Sequence, residues 1–316
     1  MTAPGCCVVF YHYVRDGASR GIRALTPADF RRQLDWLASQ ADIIDFDTFA
    51  HAVRERRPLT RPSVLLTFDD GLTDHGDVVF SELTRRGLSG VFFLNGAALD
   101  EPPVLMNVHR THLLLDALGA DGLRAALHAS IDRAIETGRL SSADVYRYDG
   151  EPEQDVKRLL NYELPYAEVD RVLAALFAEH CGDETRAARA FYLSPDDVTR
   201  MARSGMTFGY HTRRHRVLSR LAEPDLHDEL ASGVSLVRQL TGQGDVPFCF
   251  PYGHRLTYSD AALALLDTLG YSMAFTTVRR MARPEADPRF EIPRLDTRDV
   301  PPLGSAAVVA LAAVES

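Results

Sequence analysis

The chain has 316 residues, 46% hydrophobic and 25% charged, with a formal charge of −9, which is room for one α/β barrel or two average domains. That balance excludes a disordered chain, and no apolar run is long enough to span a bilayer. An acidic chain also lacks the concentrated basic face that gripping phosphate backbones demands, which excludes nucleic acid as the main partner; Arg54, Arg56 and Arg57, like Arg213, Arg214 and Arg216, read as solvated surface or as local anion contacts.

Residues 8–11 form a short β-rich run that ends at His12. Thr26 and Pro27 open a helix, because threonine caps free N–H groups and proline at the first helical position gives up nothing. Phe30, Leu34 and Leu37 carry it to about Gln40, with Trp36 on the core stripe. A brief strand at Ile43 and Ile44 and a helix over 49–56 follow. Residues 63–67 read as a buried strand running into Phe68, Asp69, Asp70 and Gly71, then a helix over about 78–86 closed by Gly87, then a strand over 91–94. Such β-α-β alternation predicts a parallel sheet or barrel within one domain spanning 1–316, with functional groups at the carboxyl ends of the strands.

Alternation breaks over about 101–190, where helix-like segments at 113–118, 123–135 and 167–180 and an exposed turn at 149–153 predict a helical insertion serving as lid or pocket wall. It resumes at Ser194 and Pro195 with a helix to about Gly205. A strand over 207–210 leads into His211, Pro224 opens a helix to about Leu240, and a strand over 246–250 ends at Pro251, Tyr252 and Gly253. Ser259 caps a helix that closes at Gly270, and 271–276 supplies another strand.

Three polar groups thus follow strands: Asp69 with Asp70, His211 with His215, and Tyr252. In a barrel those ends converge. The four-residue spacing of the histidines puts both rings on one side of a helical turn, as two ligands of one metal require, and one carboxylate with two imidazoles leaves positions open for water and substrate. Adjacent aspartates point in different directions, so one can bind metal while the other accepts a proton from water attacking an amide carbonyl.

These residues resemble the motifs of the polysaccharide deacetylase family, also called the NodB-homology or carbohydrate esterase family 4. Thr67, Phe68, Asp69, Asp70 and Gly71 match its first motif, His211, Thr212, Arg213, Arg214 and His215 its second, and Phe250, Pro251, Tyr252 and Gly253 part of its third. The resemblance covers about 7–100 and 191–295 and implies a distorted (β/α) barrel. It also implies one divalent ion, Zn²⁺ first, with Co²⁺, Ni²⁺ or Mn²⁺ as alternatives. Asp70, His211 and His215 are then its ligands, Asp69 the base and Tyr252 the source of an oxyanion N–H.

The implied reaction is hydrolytic N-deacetylation of an N-acetylated sugar. The rivals are hydrolysis of another non-peptide C–N bond, in a formamide, cyclic amide or ureide, and a catalytically silent metal- or sugar-binding module; Asp69 argues against the last, since binding metal does not require it. Cys6, Cys7, Cys181 and Cys249 form no C-x-x-C pair, and the first residues lack a basic stretch followed by an apolar one, which predicts a cytoplasmic location. A small soluble acetamido-sugar substrate follows from that, with no membrane partner.

Two departures from the family matter. Its third motif usually begins with an arginine that orients the catalytic aspartate, and here Cys249 stands there. Arg294 is either its replacement, as a Pro-Arg segment is in branches lacking the first arginine, or a plain surface residue. No histidine follows His254 to act as general acid. His12 is the first candidate, since Tyr11 and His12 resemble the N-terminal Tyr-His of poly-N-acetylglucosamine deacetylases, and His254 is the second; the other reading of each is a histidine bonded to backbone.

Within the insertion, His109 and His112 belong to a polar cluster over 108–113. A similar Val-His-x-x-His segment occurs in deacetylases of surface-sugar biosynthesis, which implies substrate contacts; the other reading is helix-surface polarity. His75 is expected at the pocket rim. Because all three expected ligands lie outside the insertion, metal binding is expected not to depend on it.

Overall fold

Short apolar runs alternating with capped helices produce parallel strands with helices outside them. The structure, a computed structural model, describes residues 5–17, 19–131 and 150–304. Strand β1 (Cys6–Tyr11) leads to helix α1 (Pro27–Gln40), whose cap Thr26 accepts the Asp29 N–H at 3.1 Å. Strand β2 (Asp42–Ile43), helix α2 (Phe46–Glu55) and strand β3 (Ser63–Phe68) follow. The helix expected from residue 78 starts earlier, as a wide turn over His75–Val79 that continues into α3 (Phe80–Arg86).

Between β4 (Val91–Leu94) and β5 (Thr207–Tyr210) lie α4 (Asn107–Ser130), α5 (Glu151–Arg158), α6 (Tyr166–His180), α7 (Glu184–Phe191) and α8 (Pro195–Arg203). The segments expected at 113–118 and from 123 are one helix broken at Gly119, which takes φ 70° and ψ 171°, a conformation open only to glycine. The last residues of the expected 123–135 helix, and Asp149 of the expected turn, lie outside the described residues.

The single helix expected over 224–240 is two, α9 (Glu223–Leu230) and α10 (Gly233–Thr241). The Tyr271 hydroxyl donates to the Leu230 carbonyl at 2.6 Å, and Gly233 sits so tightly on Tyr210 and Tyr271 that a Cβ there would come within 2.3 Å of both. Strand β6 (Phe248–Cys249), helix α11 (Asp260–Thr268), and strands β7 (Ala274–Phe275) and β8 (Leu295–Asp296) complete the chain order.

All strand pairs are parallel, in the order β7-β6-β5-β4-β3-β1-β8, with β2 beside the start of β3. Phe275 of β7 bridges Ile292, three residues before β8, and the sheet curls into a distorted half-open barrel. Strand parity divides the core. Cys7, Val9, Tyr11, Val64, Leu66 and Phe68 pack with Phe30, Leu34 and Leu37 of α1, and Trp36 lies partly buried beside them. Residues of opposite parity, Cys6, Val8, Leu65, Val91 and Phe93, join Cys249, Phe275 and Ile292 on the other face. Burial on both faces is why these strands read as continuous apolar runs.

Helices α4, α6 and α7 build a separate cluster with Leu114, Leu127, Val172, Leu173, Phe177 and Phe191 at its centre, joined by Tyr13, Leu72 and Ala97 from barrel loops. No described helix is long and apolar enough to cross a membrane.

Candidate active site

Thr67 and Asp69 continue the parity of Leu65. Asp69 is buried, and Arg294 clamps it with both terminal nitrogens, Nη1 to Oδ1 and Nη2 to Oδ2, each at 2.8 Å. Arg294 is itself buried: it donates to Thr67 Oγ1 at 3.0 Å and to the Thr276 carbonyl at 3.0 Å, lies 2.9 Å from Cys249 Sγ, and stacks over Phe10. Of the two readings left open for Arg294, burial excludes the surface one. Burial alone would raise the Asp69 pKa, but the guanidinium outweighs it and holds the carboxyl at about 2, so Asp69 is ionised at neutral pH.

Asp70 takes a left-handed φ of 78° and turns the other way. Its Oδ1 lies 3.6 Å from His211 Nε2 and 3.5 Å from His215 Nε2, and its Oδ2 lies 3.3 Å from His109 Nε2. Oδ1 is buried and has no hydrogen-bond partner. His211 donates its Nδ1–H to the Cys249 carbonyl at 2.7 Å, which leaves the Nε2 lone pair facing Asp70. Burial lowers the pKa of both histidines, that of His215 to about 3, so both rings are neutral.

The four-residue spacing brings the two rings to 4.8 Å between centroids, but not through a helical turn. Residues 211–215 are a loop in which Thr212 and His215 have φ of 65° and 55°. Asn95 donates to the His211 carbonyl, and the backbone N–H groups of Gly96 and Ala97 to those of Thr212 and Arg213; the Arg213 and Arg214 N–H groups go to Glu229, and Thr212 Oγ1 accepts the His215 N–H. These partners replace the bonds a helix would make. Among the described residues, five that are not glycine have left-handed φ; four are Asp70, Thr212, His215 and Tyr252, all at this site. Such conformations persist only where the surroundings over-determine them.

Two groups of three donors come within 4.8 Å of one another among the described residues: Asp70, His211 and His215, and Asp69, His211 and Cys249. Arg294 already fills the second.

A cavity of about 570 Å³ opens over the site, lined by His12, Asp69, Asp70, His112, Tyr252 and His254 among others. His12 is half-buried, with Nε2 3.9 Å from Asp69 Oδ2. His254 Nδ1 accepts the Leu256 N–H at 3.3 Å. Tyr252 has φ 61°, its ring meets that of His215 edge-on, and its hydroxyl donates to Asn161 Oδ1 at 3.0 Å. His112 bonds Tyr13 through Nδ1 at 2.8 Å. Two expected positions differ. His75 is not at the rim but fully buried, its Nε2 2.9 Å from the His12 carbonyl. His109 does not line the cavity: it is fully buried behind Asp70. Tyr192, Asn161, Asn95 and Glu229 support the site without belonging to any motif.

Parallel strands curled into a distorted barrel, with surrounding helices, define the NodB-type deacetylase fold. The family model for polysaccharide deacetylase matches residues 111–274, just over half of the chain, and the chain belongs to that family. Its members are hydrolases acting on C–N bonds other than peptide bonds, and metal dependence is typical of them. The matched stretch contains His211, His215 and Tyr252 but begins beyond Asp69 and Asp70. No curated protein matches the chain. Among solved structures it is similar to the Streptococcus pyogenes deacetylase PplD in complex with acetate, with TM-score 0.61 and 14% identity over 96% of both chains. IcaB from Ammonifex degensii gives 0.54 and 17% over 94% of this chain and 93% of that one. The BpsB deacetylase domain from Bordetella bronchiseptica gives 0.55 and 15% over 92% and 94%. At these identities the likeness is one of fold.

Proposed function

We propose that this protein is a divalent-metal-dependent hydrolase that removes the acetyl group from a small, soluble acetamido sugar. One observation carries the reading: Asp70 Oδ1 is a buried carboxylate oxygen without a hydrogen-bond partner, between two neutral imidazole nitrogens at 3.5 and 3.6 Å. Two donors about 2.1 Å from a tetrahedral ion stand about 3.4 Å apart, so this set fits a cation. The two nitrogens and one oxygen suit Zn²⁺ best, with Co²⁺, Ni²⁺ and Mn²⁺ as alternatives.

When bound, such an ion acidifies water and polarises the acetyl carbonyl. Asp70, His211 and His215 would hold it. Asp69, fixed by Arg294, accepts a proton from the attacking water. With a pKa of about 2 it keeps that proton only briefly, and His12, on the same cavity wall, delivers a proton to the departing sugar nitrogen. The Tyr252 backbone N–H shares the charge that develops on the acetyl oxygen. The products are acetate and the free sugar amine.

Two features support the finer reading. The cavity volume suits a ligand of sugar to nucleotide-sugar size. All four cysteines are free, consistent with a reducing cytoplasm. The test is acetate release from a panel of acetamido sugars, abolished by a chelator and restored by Zn²⁺. Turnover of formamides, cyclic amides or ureides instead would move the protein to another C–N bond, and metal binding without any turnover would leave a binding module.

A further inference from the structure

Every proposed metal ligand comes from the barrel, yet one buried contact to them comes from elsewhere. His109, on α4 of the insertion, approaches the other carboxylate oxygen of Asp70, with Nε2 3.3 Å from Oδ2. Its other nitrogen, Nδ1, lies 2.5 Å from the Tyr192 hydroxyl, and that hydroxyl oxygen accepts the Met106 N–H at 3.0 Å. The direction of this chain follows from its Asp70 end. An ionised Asp70 can only accept, so the facing His109 Nε2 carries a proton, and in the neutral ring Nδ1 is then the acceptor. The Tyr192 hydroxyl donates to Nδ1 while its oxygen accepts the Met106 N–H.

A carboxylate has two equivalent oxygens and rotates about its terminal bond. A donor fixed on Oδ2 removes that freedom and leaves Oδ1 alone facing the two imidazoles. We propose that His109, held by Tyr192, is a positioning residue for Asp70, through which the helical insertion sets the metal affinity of a site whose ligands all lie on the barrel. The inference rests on the proposed metal site. It replaces the expectation that metal binding is independent of the insertion, and the expectation that His109 contacts substrate, which its burial away from the cavity prevents.

The test is the affinity of the full-length protein for Zn²⁺, by competition with a chromophoric chelator, together with the visible spectrum of the Co²⁺-loaded protein. His109→Phe, which keeps the ring and loses the donor, is expected to weaken affinity by about 10- to 100-fold and to change the Co²⁺ bands. His109→Gln, which restores an N–H near the same place, recovers most of that loss. Tyr192→Phe frees the His109 tautomer and gives an intermediate loss; it carries the test alone if His109→Phe does not fold. At saturating metal, KM stays at the wild-type value. Wild-type affinity and spectrum in both His109→Phe and Tyr192→Phe would overturn the positioning role, and so would equal losses in His109→Phe and His109→Gln. Metal binding undiminished in His211→Ala would instead overturn the metal site itself, so the two failures are distinguishable.

Discussion

The barrel and the insertion meet at one cavity but contribute to it by different means. The barrel presents side chains from strand ends: Asp69 and Asp70 after β3, His211 after β5, Tyr252 after β6 and Arg294 just before β8. Asp69 and His211 are held by bonds within the barrel, through the Arg294 clamp and the Cys249 carbonyl, whereas Asp70 Oδ2 faces His109 and the Tyr252 hydroxyl donates to Asn161, both of the insertion. The insertion has its own apolar cluster, supplies cavity wall through His112 and Asn161, and meets the proposed metal ligand Asp70 through His109. Proton chemistry and metal affinity are therefore supported separately: Asp69 answers to Arg294, and Asp70 answers to His109 of the insertion.

The largest expected effect comes from breaking the barrel's side of this division. Arg294→Met leaves an uncompensated buried carboxylate, which costs about 3–5 kcal/mol, and it should abolish most turnover while the His109 contact keeps Asp70 in place for metal. The stability difference should also depend on pH. Asp69 has a folded pKa of about 2, below the ordinary aspartate value of about 3.9, so its ion pair stabilises the fold above about pH 4 and that contribution disappears as pH falls toward 2. Chemical denaturation of both proteins between pH 6 and about pH 2 checks this; a pH-independent gap would contradict the clamp.

A smaller effect is expected at the rim, where His12 lines the cavity 3.9 Å from Asp69 and its carbonyl is bonded by His75. His12→Ala should lower kcat by about 10²-fold, near 2.7 kcal/mol, with KM little changed, because a proton donor is felt chiefly in the transition state. A near-normal kcat would pass the role to His254, whose Nδ1 already serves as a backbone acceptor.

How much of this is legible in the sequence follows the same division. Strand ends in a parallel barrel converge, so Asp69, Asp70, His211, His215 and Tyr252 can be grouped from apolar runs and their spacing alone. Arg294 is legible as a choice between two places, because a Pro-Arg pair near the last strand does not reveal that its side chain packs against Cys249 and Asp69. The loop at 211–215 is not legible: whether it coils as helix or turns left-handed depends on acceptors and donors at Asn95, Gly96, Ala97 and Glu229, far away in the chain. Nor is the His109 contact. Helical periodicity marks the polar cluster around it but cannot say which barrel group a helix from an inserted segment will meet. A buried histidine five residues after a strand-following aspartate, His75, likewise looks like a rim residue until the packing over it is known.

The neighbouring aspartates thus have different work to do. The direct measurement is metal content and kcat for Asp69→Asn and Asp70→Asn, each variant checked for folding. Asp69→Asn should retain about one divalent ion per chain and lose turnover, since the amide keeps the shape but cannot accept the proton. Asp70→Asn should lose metal, since a neutral oxygen replaces an anionic ligand, with part of its turnover returning in excess Zn²⁺. Metal lost from Asp69→Asn and kept by Asp70→Asn would reverse the assignment, and wild-type turnover in Asp69→Asn would contradict the mechanism.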